Sequence, residues 1–515
     1  MNMKTIHYII FLHAMCLGNT YKILVMFPVP SPSHFILGSA LARGLVNAGH
    51  DVTIVSPYKD KNPTENGKYS SIVLKGLADI KDPLENIKLF EIGESNPLTA
   101  AQLMYTMGNE VTNSTLESIN SENSNIYEEK FDLVILEYFK NDALLALACH
   151  LKTPLVLFST MGANLWVNSL VGNPTPPSYI PDLHLSYTDN MDFWQRLMNV
   201  FMYSAKKLND KFFFLPFQYE LAKKHFPHCV GEEGPLSNVS LLLLNSHESV
   251  NNPVPLVPNM INIGGFHISP QKELPRDLKE YIDNAEEGVV YFSLGSNVKP
   301  SEMRNETKKA LLNALGKIKQ KVLWKWDEDF LPGNPENIRT NKWFPQQEIL
   351  AHPNVKVFIT HGGLLSTTET IYHGVPILAL PIFGDQKMNA AHAVAGGYAL
   401  SLSISKITED DISDALNQLL NDPKYRENAK KRSALMHDRQ VKPMDLAIYW
   451  IEYVIRNKGA PHLRVAALNL TWYQYLLLDI ISVVLIIGII LMFVSYLLMK
   501  KLCLSRKSDM KIKSN

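Results

Sequence analysis

A histidine and two glycines follow a short apolar segment in the second half of the chain. Val355 to Thr360 has the composition of a buried strand, His361-Gly362-Gly363 comes directly after it, and a helix-length segment follows. Glycines let backbone N–H groups approach a bound anion, and the dipole of the next helix favours negative charge at its start. The spacing therefore predicts an anion cradle that would hold a diphosphate.

Three polar residues accompany this cradle. Glu369 lies eight residues after His361 on the same predicted helix, where its carboxylate can accept hydrogen bonds from two adjacent ribose hydroxyls. Asp385 and Gln386 follow the next predicted strand, Val375 to Leu380. Because the strands of a parallel sheet end at one edge, both sets are expected to meet in one crevice.

The segment from Trp343 to Gln386 resembles the signature of UDP-glycosyltransferases, the membrane-bound, two-domain GT-B enzymes that include UDP-glucuronosyltransferases and their insect counterparts. The resemblance implies that Trp343 stacks on uracil and that Gln346 bonds its edge. The vertebrate pattern has Asn and Gly at the positions of Leu365 and Ser366, where backbone contacts to phosphate remain. The other implied UDP-sugar contacts are Ser296, His361, Gly363 and Ser366 for the diphosphate, Glu369 for the ribose, and Asp385 and Gln386 for the sugar.

The same resemblance assigns the catalytic base to His34, which follows the loop Pro28 to Ser33 after the first predicted strand. A neutral histidine can take a proton from an acceptor hydroxyl as that oxygen attacks the anomeric carbon. The base needs a carboxylate to orient its ring. Two candidates remain: Glu137, at the position of the family's relay aspartate, and Asp142, near a helix start, which would otherwise be a helix N-cap.

Strands and helices alternate in both halves of the chain. Lys22 to Phe27, Phe35 to Ala48 and Asp51 to Val55 predict a βαβ unit and hence a parallel sheet. A new strand series starts at Gly288, after a proline-rich passage from Asn251 to Pro275 that is predicted to link two domains. With the resemblance, the predicted fold class is α/β: GT-B, two doubly wound Rossmann-like domains facing a cleft, plus one C-terminal transmembrane helix.

The two ends of the chain predict a membrane protein of the secretory pathway. Lys4 and the apolar run from Ile6 to Leu17 form a signal-peptide pattern. Ile480 to Met499 is uncharged and, at about 1.5 Å per residue, is long enough for a hydrocarbon core of about 30 Å. Basic residues follow it and keep the tail cytosolic, and Lys511 and Lys513 resemble a dilysine signal. We expect a single-pass type I protein of the endoplasmic reticulum membrane with lumenal catalytic domains.

These patterns together predict the domain organisation. The expected segments are 1–18 as signal peptide, 19–270 as acceptor-binding α/β domain with linker, 271–439 as UDP-sugar-binding α/β domain, 440–475 as helices returning to the first domain, 476–499 as transmembrane helix and 500–515 as cytosolic tail. The glycosylation candidates in the lumenal part are Asn113, Asn238, Asn305 and Asn469.

Composition excludes several classes of protein. Lys plus Arg and Asp plus Glu both number 50, so no charge excess exists for a nucleic-acid-binding face. Hydrophobic residues make up 46%, which excludes a disordered chain. Four cysteines are too few for a disulfide framework in a chain of this length, and Cys149 and Cys229 are predicted to be structural thiols.

Aromatic residues crowd together between Met191 and Phe226, with lysines interleaved. The periodicity favours helices packed in the core. The alternative is an amphipathic segment on a membrane surface, beside an apolar substrate pocket.

The expected function is inverting transfer of a hexose from a UDP-sugar to a hydroxyl of a small lipophilic acceptor, with no cofactor and no metal ion. Vertebrate glucuronosyltransferases place an arginine before the Asn-Ser pair that corresponds here to Asn245-Ser246. This chain has Leu244 there, so no charge clamp for a sugar carboxylate exists and UDP-glucose is favoured. Glucuronate transfer, transfer to a membrane lipid, and a membrane-tethered lipophile binder without turnover are the alternatives.

Overall fold

The computed structural model describes residues 20–60, 68–77, 89–92, 95–121, 125–231, 238–331, 333 and 335–512. The predicted signal peptide, 1–18, and the last residues of the tail, 513–515, lie outside the described residues. The chain divides into one compact unit up to Leu463 and a second from Arg464.

The first half of the chain forms a seven-stranded parallel sheet in the order β3-β2-β1-β4-β5-β6-β7. Its strands are β1 (Lys22–Met26), β2 (Asp51–Ser56), β3 (Tyr69–Val73), β4 (Leu133–Glu137), β5 (Leu155–Ser159), β6 (Val239–Leu244) and β7 (Met260–Asn262). The helices of this half are α1 (Pro32–Asn47), α2 (Leu89–Ile92), α3 (Pro97–Ser121), α4 (Ala146–His150), α5 (Leu165–Val171), α6 (Phe193–Asn209) and α7 (Leu215–His225).

Helices cover both faces of this sheet, which is why its central strands are continuous apolar runs. Alternate β1 residues point to opposite faces: Ile23 packs in one core with Leu41 of α1, and Leu24 packs in another with Leu116 of α3. The C-terminal helix α15 (Pro443–Arg456) returns to the first of these cores through Ile451.

The second half forms a six-stranded parallel sheet in the order β10-β9-β8-β11-β12-β13. Its strands are β8 (Val289–Ser293), β9 (Lys321–Lys325), β10 (Ile338–Asn341), β11 (Val355–Thr360), β12 (Ile377–Ala379) and β13 (Ala399–Ser401). Its helices are α8 (Arg276–Asp283), α9 (Asn305–Lys317), α10 (Gln346–Leu350), α11 (Leu364–His373), α12 (Gln386–Ala395), α13 (Glu409–Asn421) and α14 (Pro423–His437). The predicted α/β fold with two parallel sheets is confirmed.

The second unit contains α16 (Trp472–Tyr475) and a long helix, α17 (Leu478–Ile512). Within α17, Leu478–Leu502 is long and apolar enough to cross a membrane. The expected apolar C-terminal helix is therefore present, with bounds close to those predicted.

The predicted linker from Asn251 to Pro275 is only partly a linker. Met260–Asn262 within it forms β7 and pairs in parallel with β6. A three-residue strand among prolines has too short an apolar run to stand out in the sequence.

The prediction of structural thiols at Cys149 and Cys229 is wrong, because the two form a disulfide with a Cα–Cα distance of 5.8 Å. Cys149 lies in α4 and Cys229 in the turn after α7. The rings of His150 and Phe226, beside them, lie 5.4 Å apart. Packing of α4 against this turn brings together residues 80 positions apart, which a count of cysteines does not reveal.

The prediction that the aromatic segment packs in the core is also wrong for most of it. Phe214 is buried, but Trp194 and Phe213 are each 73% exposed. Among the predicted glycosylation sites, Asn238, Asn305 and Asn469 are exposed, whereas Asn113 is half-buried and its amide donates to Glu117 at 3.2 Å.

Candidate active site

The candidate catalytic histidine lies at the start of α1, and its partner lies at the end of β4. Because β1 and β4 are neighbours in the first sheet, the loop after β1 meets the end of β4 at one edge. His34 Nδ1 pairs there with Oε1 of Glu137, whose side chain is fully buried. The second Glu137 oxygen accepts a hydrogen bond from the Val29 N–H at 3.3 Å. With Nδ1 bonded to the carboxylate, a neutral ring presents Nε2 as a proton acceptor.

Asp142, the alternative carboxylate, lies elsewhere. It is the first residue of a short 3-10 turn, Asp142–Leu145, and accepts a hydrogen bond from the Tyr138 hydroxyl at 2.9 Å. Burial raises the pKa of Asp142 above its ordinary value. The N-cap of that turn is Asn141, so Asp142 does not cap it. In the part of the chain that the structure describes, the carboxylate in contact with His34 is that of Glu137.

Two glycine turns form the candidate diphosphate cradle. β8 and β11 are adjacent and end in register, so the turn at Gly295-Ser296 lies beside the turn at His361-Gly362-Gly363. Gly295 has a φ of +82°, and a Cβ there would lie 2.6 Å from the His361 ring. A Cβ on Gly363 would lie 2.6 Å from His361 Nε2. Both positions must be glycine for the imidazole to fit between the turns.

His361 and the first turn of α11 supply hydrogen-bond donors at this cradle. Burial, together with the nearby charge of Lys325, lowers the pKa of His361 to about 4. The ring is therefore neutral near pH 7 and can donate from one nitrogen. α11 begins after Gly363, and no side chain caps its first N–H groups. These groups are available to a bound anion.

Lys325, which the sequence did not single out, adds a positive charge. It ends β9, the neighbour of β8. Its ammonium donates to the Gly295 carbonyl at 2.7 Å and lies 4.5 Å from the centroid of the Trp343 ring. Trp343 is 58% exposed, so one face of its ring is open to a base. Burial lowers the pKa of Lys325 to about 8.

Glu369 is buried on α11 and already holds two amide donors. Its carboxylate accepts hydrogen bonds from Gln346 Nε2 at 2.6 Å and from Gln347 Nε2 at 2.8 Å, and His267 Nε2 lies 3.6 Å away. Burial acts to raise the pKa of Glu369, but His267 and the two amides lower it below its ordinary value. The Gln346 amide also donates to Ser366 Oγ at 3.1 Å. The residues expected at uracil, phosphate and ribose therefore form one connected network.

Asp385 and Gln386 lie at the start of α12 beside the cradle. Burial raises the pKa of Asp385. Asn389, one turn later, donates to Asp385 Oδ2 at 2.8 Å and to the Gly362 carbonyl at 3.0 Å. Gln386 Oε1 accepts from the backbone N–H groups of residues 382 and 383, which leaves its amide nitrogen to bind a ligand. The i, i+4 spacing of Asn389 from Asp385 was a signal that could have identified it.

The two halves of the site face each other. Asn297, next to Ser296 in the second half, donates to Ser31 Oγ in the first half at 2.9 Å, and Ser31 is three residues before His34. Asp385 also lies close enough to His34 for an electrostatic interaction, although this is a smaller effect than the burial that raises the pKa of Asp385. The histidine and the cradle therefore share one cleft.

A chain of aromatic contacts runs from His34 into the interior of the first half. The Phe139 ring lies edge-on to His34 at 5.3 Å, Trp166 lies 5.9 Å from Phe139, and Tyr105 lies 6.4 Å from Trp166. Within the described residues, no three His, Cys, Asp or Glu side chains are grouped so as to hold a metal ion.

A family model described as "UDP-glucoronosyl and UDP-glucosyl transferase" matches residues 25–513. The chain belongs to this family. Its relatives include the UDP-glycosyltransferase UGT5 of Dactylopius coccus, which is 38% identical over 93% of this chain and 91% of its own length. The UDP-glucuronosyltransferase 2B7 of Homo sapiens is 33% identical over 91% of this chain and 90% of its own length.

Solved glycosyltransferases share the fold of this UDP-glycosyltransferase family member. The calicheamicin glycosyltransferase CalG4 has a TM-score of 0.55 at 18% identity and covers 86% of this chain and 100% of its own. VinC in complex with DTDP has a TM-score of 0.55 at 18% identity over 85% of this chain and 99% of its own. The GT-B architecture is thus confirmed.

Proposed function

We propose that this family member transfers a hexose, with UDP-glucose as the preferred donor, from a UDP-sugar to a hydroxyl of a small lipophilic acceptor. The observation that carries the proposal is that the His34–Glu137 pair and the glycine cradle lie in one cleft. A base on one side and an anion cradle on the other are what a single displacement requires.

In the proposed reaction the acceptor hydroxyl gives its proton to His34 Nε2 as its oxygen attacks the anomeric carbon. The bond from that carbon to the UDP oxygen breaks, so the configuration at the carbon inverts. Glu137 stabilises the imidazolium that forms. Charge develops on the departing diphosphate, where the N–H groups of α11, His361 and Lys325 lie. These groups support transfer without a metal ion.

The same geometry assigns residues to the other parts of the nucleotide sugar. Trp343 would stack on uracil, and Gln346 would position both the base edge and Glu369. Glu369, ionised and buried, would accept hydrogen bonds from ribose hydroxyls. Asp385 and the Gln386 amide would bind the sugar hydroxyls.

Two observations support the acceptor and donor assignments. The Phe139 ring lies edge-on to His34 at 5.3 Å and places an apolar surface beside the base, which suits a lipophilic acceptor. Leu244 is fully buried in the core that contains Leu24 and Leu116, so no charged side chain at that position reaches a sugar carboxylate. Glucose transfer is therefore favoured over glucuronate transfer.

The compartment we propose is the endoplasmic reticulum membrane, with the catalytic unit in the lumen. The signal-peptide pattern, the basic tail and the Cys149–Cys229 disulfide support it, because disulfides persist in oxidising compartments.

An acceptor screen on microsomes containing the full chain tests this function. Lipophilic phenols, alcohols and a ceramide are offered with UDP-glucose or UDP-glucuronate, and product is detected by mass spectrometry. We expect glucoside formation from phenols or alcohols. Equal or better turnover with UDP-glucuronate would refute the donor assignment, glycosylation of ceramide alone would refute the acceptor class, and UDP binding without any product would favour the lipophile binder.

A further inference from the structure

A buried histidine in the passage between the two halves lies beside the candidate ribose carboxylate. The His267 side chain is fully buried, and its Nε2 atom lies 3.6 Å from Oε1 of Glu369. Among the described residues, neither ring nitrogen of His267 has a partner within hydrogen-bond distance. Burying an imidazole without hydrogen bonds costs free energy, so a histidine at such a position points to a role beyond packing.

The backbone before His267 fixes where its ring lies. Gly265 has a φ of +86°, a left-handed conformation that glycine adopts without strain. Phe266 packs in the core of the first half, where its ring lies 5.6 Å from that of Phe158 on β5. The next side chain, that of His267, contacts Glu369 on α11 of the second half. One short stretch of chain therefore joins the core of the first half to the ribose site.

The same stretch of chain orients a second donor to Glu369. The Ser269 N–H donates to Gln347 Oε1 at 3.2 Å. The amide nitrogen of Gln347 therefore faces Glu369 and donates to Oε1 at 2.8 Å, the oxygen beside which His267 lies. The other carboxylate oxygen, Oε2, accepts from Gln346. The passage between the halves thus governs the donors at one oxygen of Glu369.

Glu369 needs these donors in order to bind ribose. Ribose hydroxyls donate more strongly to an ionised carboxylate than to a neutral one. Burial acts to raise the pKa of Glu369, and His267 has the largest of the effects that lower it. Gln346 is also the proposed partner of the uracil edge, so its amide is shared when a nucleotide binds. His267 and Gln347 hold the opposite oxygen.

We propose that His267 is a positioning residue of the nucleotide site, whose Nε2 donates to Glu369 Oε1 and directs the carboxylate at the two ribose hydroxyls of UDP. The proposal rests on the proposed function, in which Glu369 binds ribose. A movement of about 0.7 Å would bring the two atoms to an ordinary hydrogen-bond distance of about 2.9 Å. His267 should therefore affect recognition of the ribose hydroxyls and little else.

Calorimetry with two nucleotides tests this role. UDP and 2′,3′-dideoxy-UDP, which lacks both ribose hydroxyls, are titrated into the full chain. The unchanged protein should bind UDP about 30-fold or more tightly than dideoxy-UDP. His267→Phe keeps a ring and removes the donor, so it should weaken UDP binding about tenfold and change dideoxy-UDP binding by less than about twofold. His267→Gln, whose amide nitrogen can donate from a similar place, should restore the preference for UDP to within about threefold.

Phe266→Leu is the matched control, because it disturbs the packing of the same stretch of chain in the first half. It should lower the thermal unfolding midpoint and keep the preference for UDP. Equal losses for the two nucleotides in His267→Phe would show a purely structural role and overturn the proposal. An equal loss of preference in His267→Gln and His267→Phe would also overturn it, because the donor would then have no effect.

Glu369→Gln separates this proposal from the proposed function. If Glu369 binds ribose, this variant should also lose the preference for UDP over dideoxy-UDP. Loss of the preference in Glu369→Gln but not in His267→Phe would overturn the role of His267 alone. If the unchanged protein binds both nucleotides equally, the ribose assignment of Glu369 fails, and the role of His267 fails with it.

Discussion

Replacing Glu137 with glutamine tests the most specific contact in the site. Glu137 is fully buried, and its two oxygens accept from His34 Nδ1 and from the Val29 N–H. Glutamine keeps the shape and removes the charge that would stabilise the imidazolium. Its amide can also donate to Nδ1, which fixes the proton on Nε2 and removes the base. Both effects act on the transition state rather than on nucleotide binding.

The expected loss in kcat is about 10²- to 10⁴-fold, or about 3 to 5 kcal/mol. UDP affinity, measured by calorimetry, should stay within about twofold, because the cradle belongs to the other half of the cleft. The rate is measured as UDP release at saturating donor and acceptor. A Glu137→Gln protein that is folded and turns over within threefold of the unchanged enzyme would refute the pairing as a catalytic element.

Asp142→Asn is the matched control for this substitution. Asp142 is bonded to the Tyr138 hydroxyl and not to His34, so its amide variant should lose less than about tenfold in kcat. Loss of activity in Asp142→Asn with activity retained in Glu137→Gln would reverse the assignment.

Three further predictions concern the cradle and the disulfide. Lys325→Met should weaken UDP binding by about 10- to 100-fold. Because the pKa of Lys325 is lowered to about 8, its charge is present below that pH and lost above it. UDP affinity, measured by calorimetry across about pH 6.5 to 9.5, should therefore fall as the pH rises through about 8 in the unchanged protein and should stay constant in Lys325→Arg. Identical pH profiles for the two proteins would contradict this prediction. Gly295→Ala should lower UDP affinity at least about tenfold, because its Cβ would lie 2.6 Å from the His361 ring. The control Gly231→Ala, where a Cβ would have open space around it, should leave UDP affinity unchanged. Equal UDP affinities for the two variants would exclude the packing of His361 against Gly295. Cys149→Ser should destabilise the protein by about 4 kcal/mol, because the crosslink joins residues 80 positions apart. A thermal unfolding midpoint that neither the substitution nor a reductant lowers would show that the disulfide is absent in solution.

The sequence was enough to predict that strands alternate with helices and which residues lie at the ends of the strands. Both predictions depend on hydrophobic periodicity and on turn residues, which are properties of short segments of the chain. The role of Lys325 could not be predicted in this way, since it depends on β9 lying beside β8, which is a matter of sheet order. The choice between Glu137 and Asp142 likewise required the register of β4 against β1. Cys149 and Cys229 required the packing of two helical segments.

The aromatic segment between Met191 and Phe226 shows a different limit of prediction from sequence. Its periodicity correctly indicates a helix with one apolar face, yet periodicity does not say which face is turned inward. The buried pair Lys206–Asp182 decides that, and its two members are 24 residues apart in the chain.

A structure of the full chain with a non-transferable UDP-glucose analogue and an acceptor would test the shared cleft most directly. We expect the diphosphate at the N–H groups after Gly363, and the acceptor oxygen held by His34 Nε2 within about 3.5 Å of the anomeric carbon. A diphosphate bound away from α11, or an anomeric carbon more than about 10 Å from His34, would contradict the mechanism.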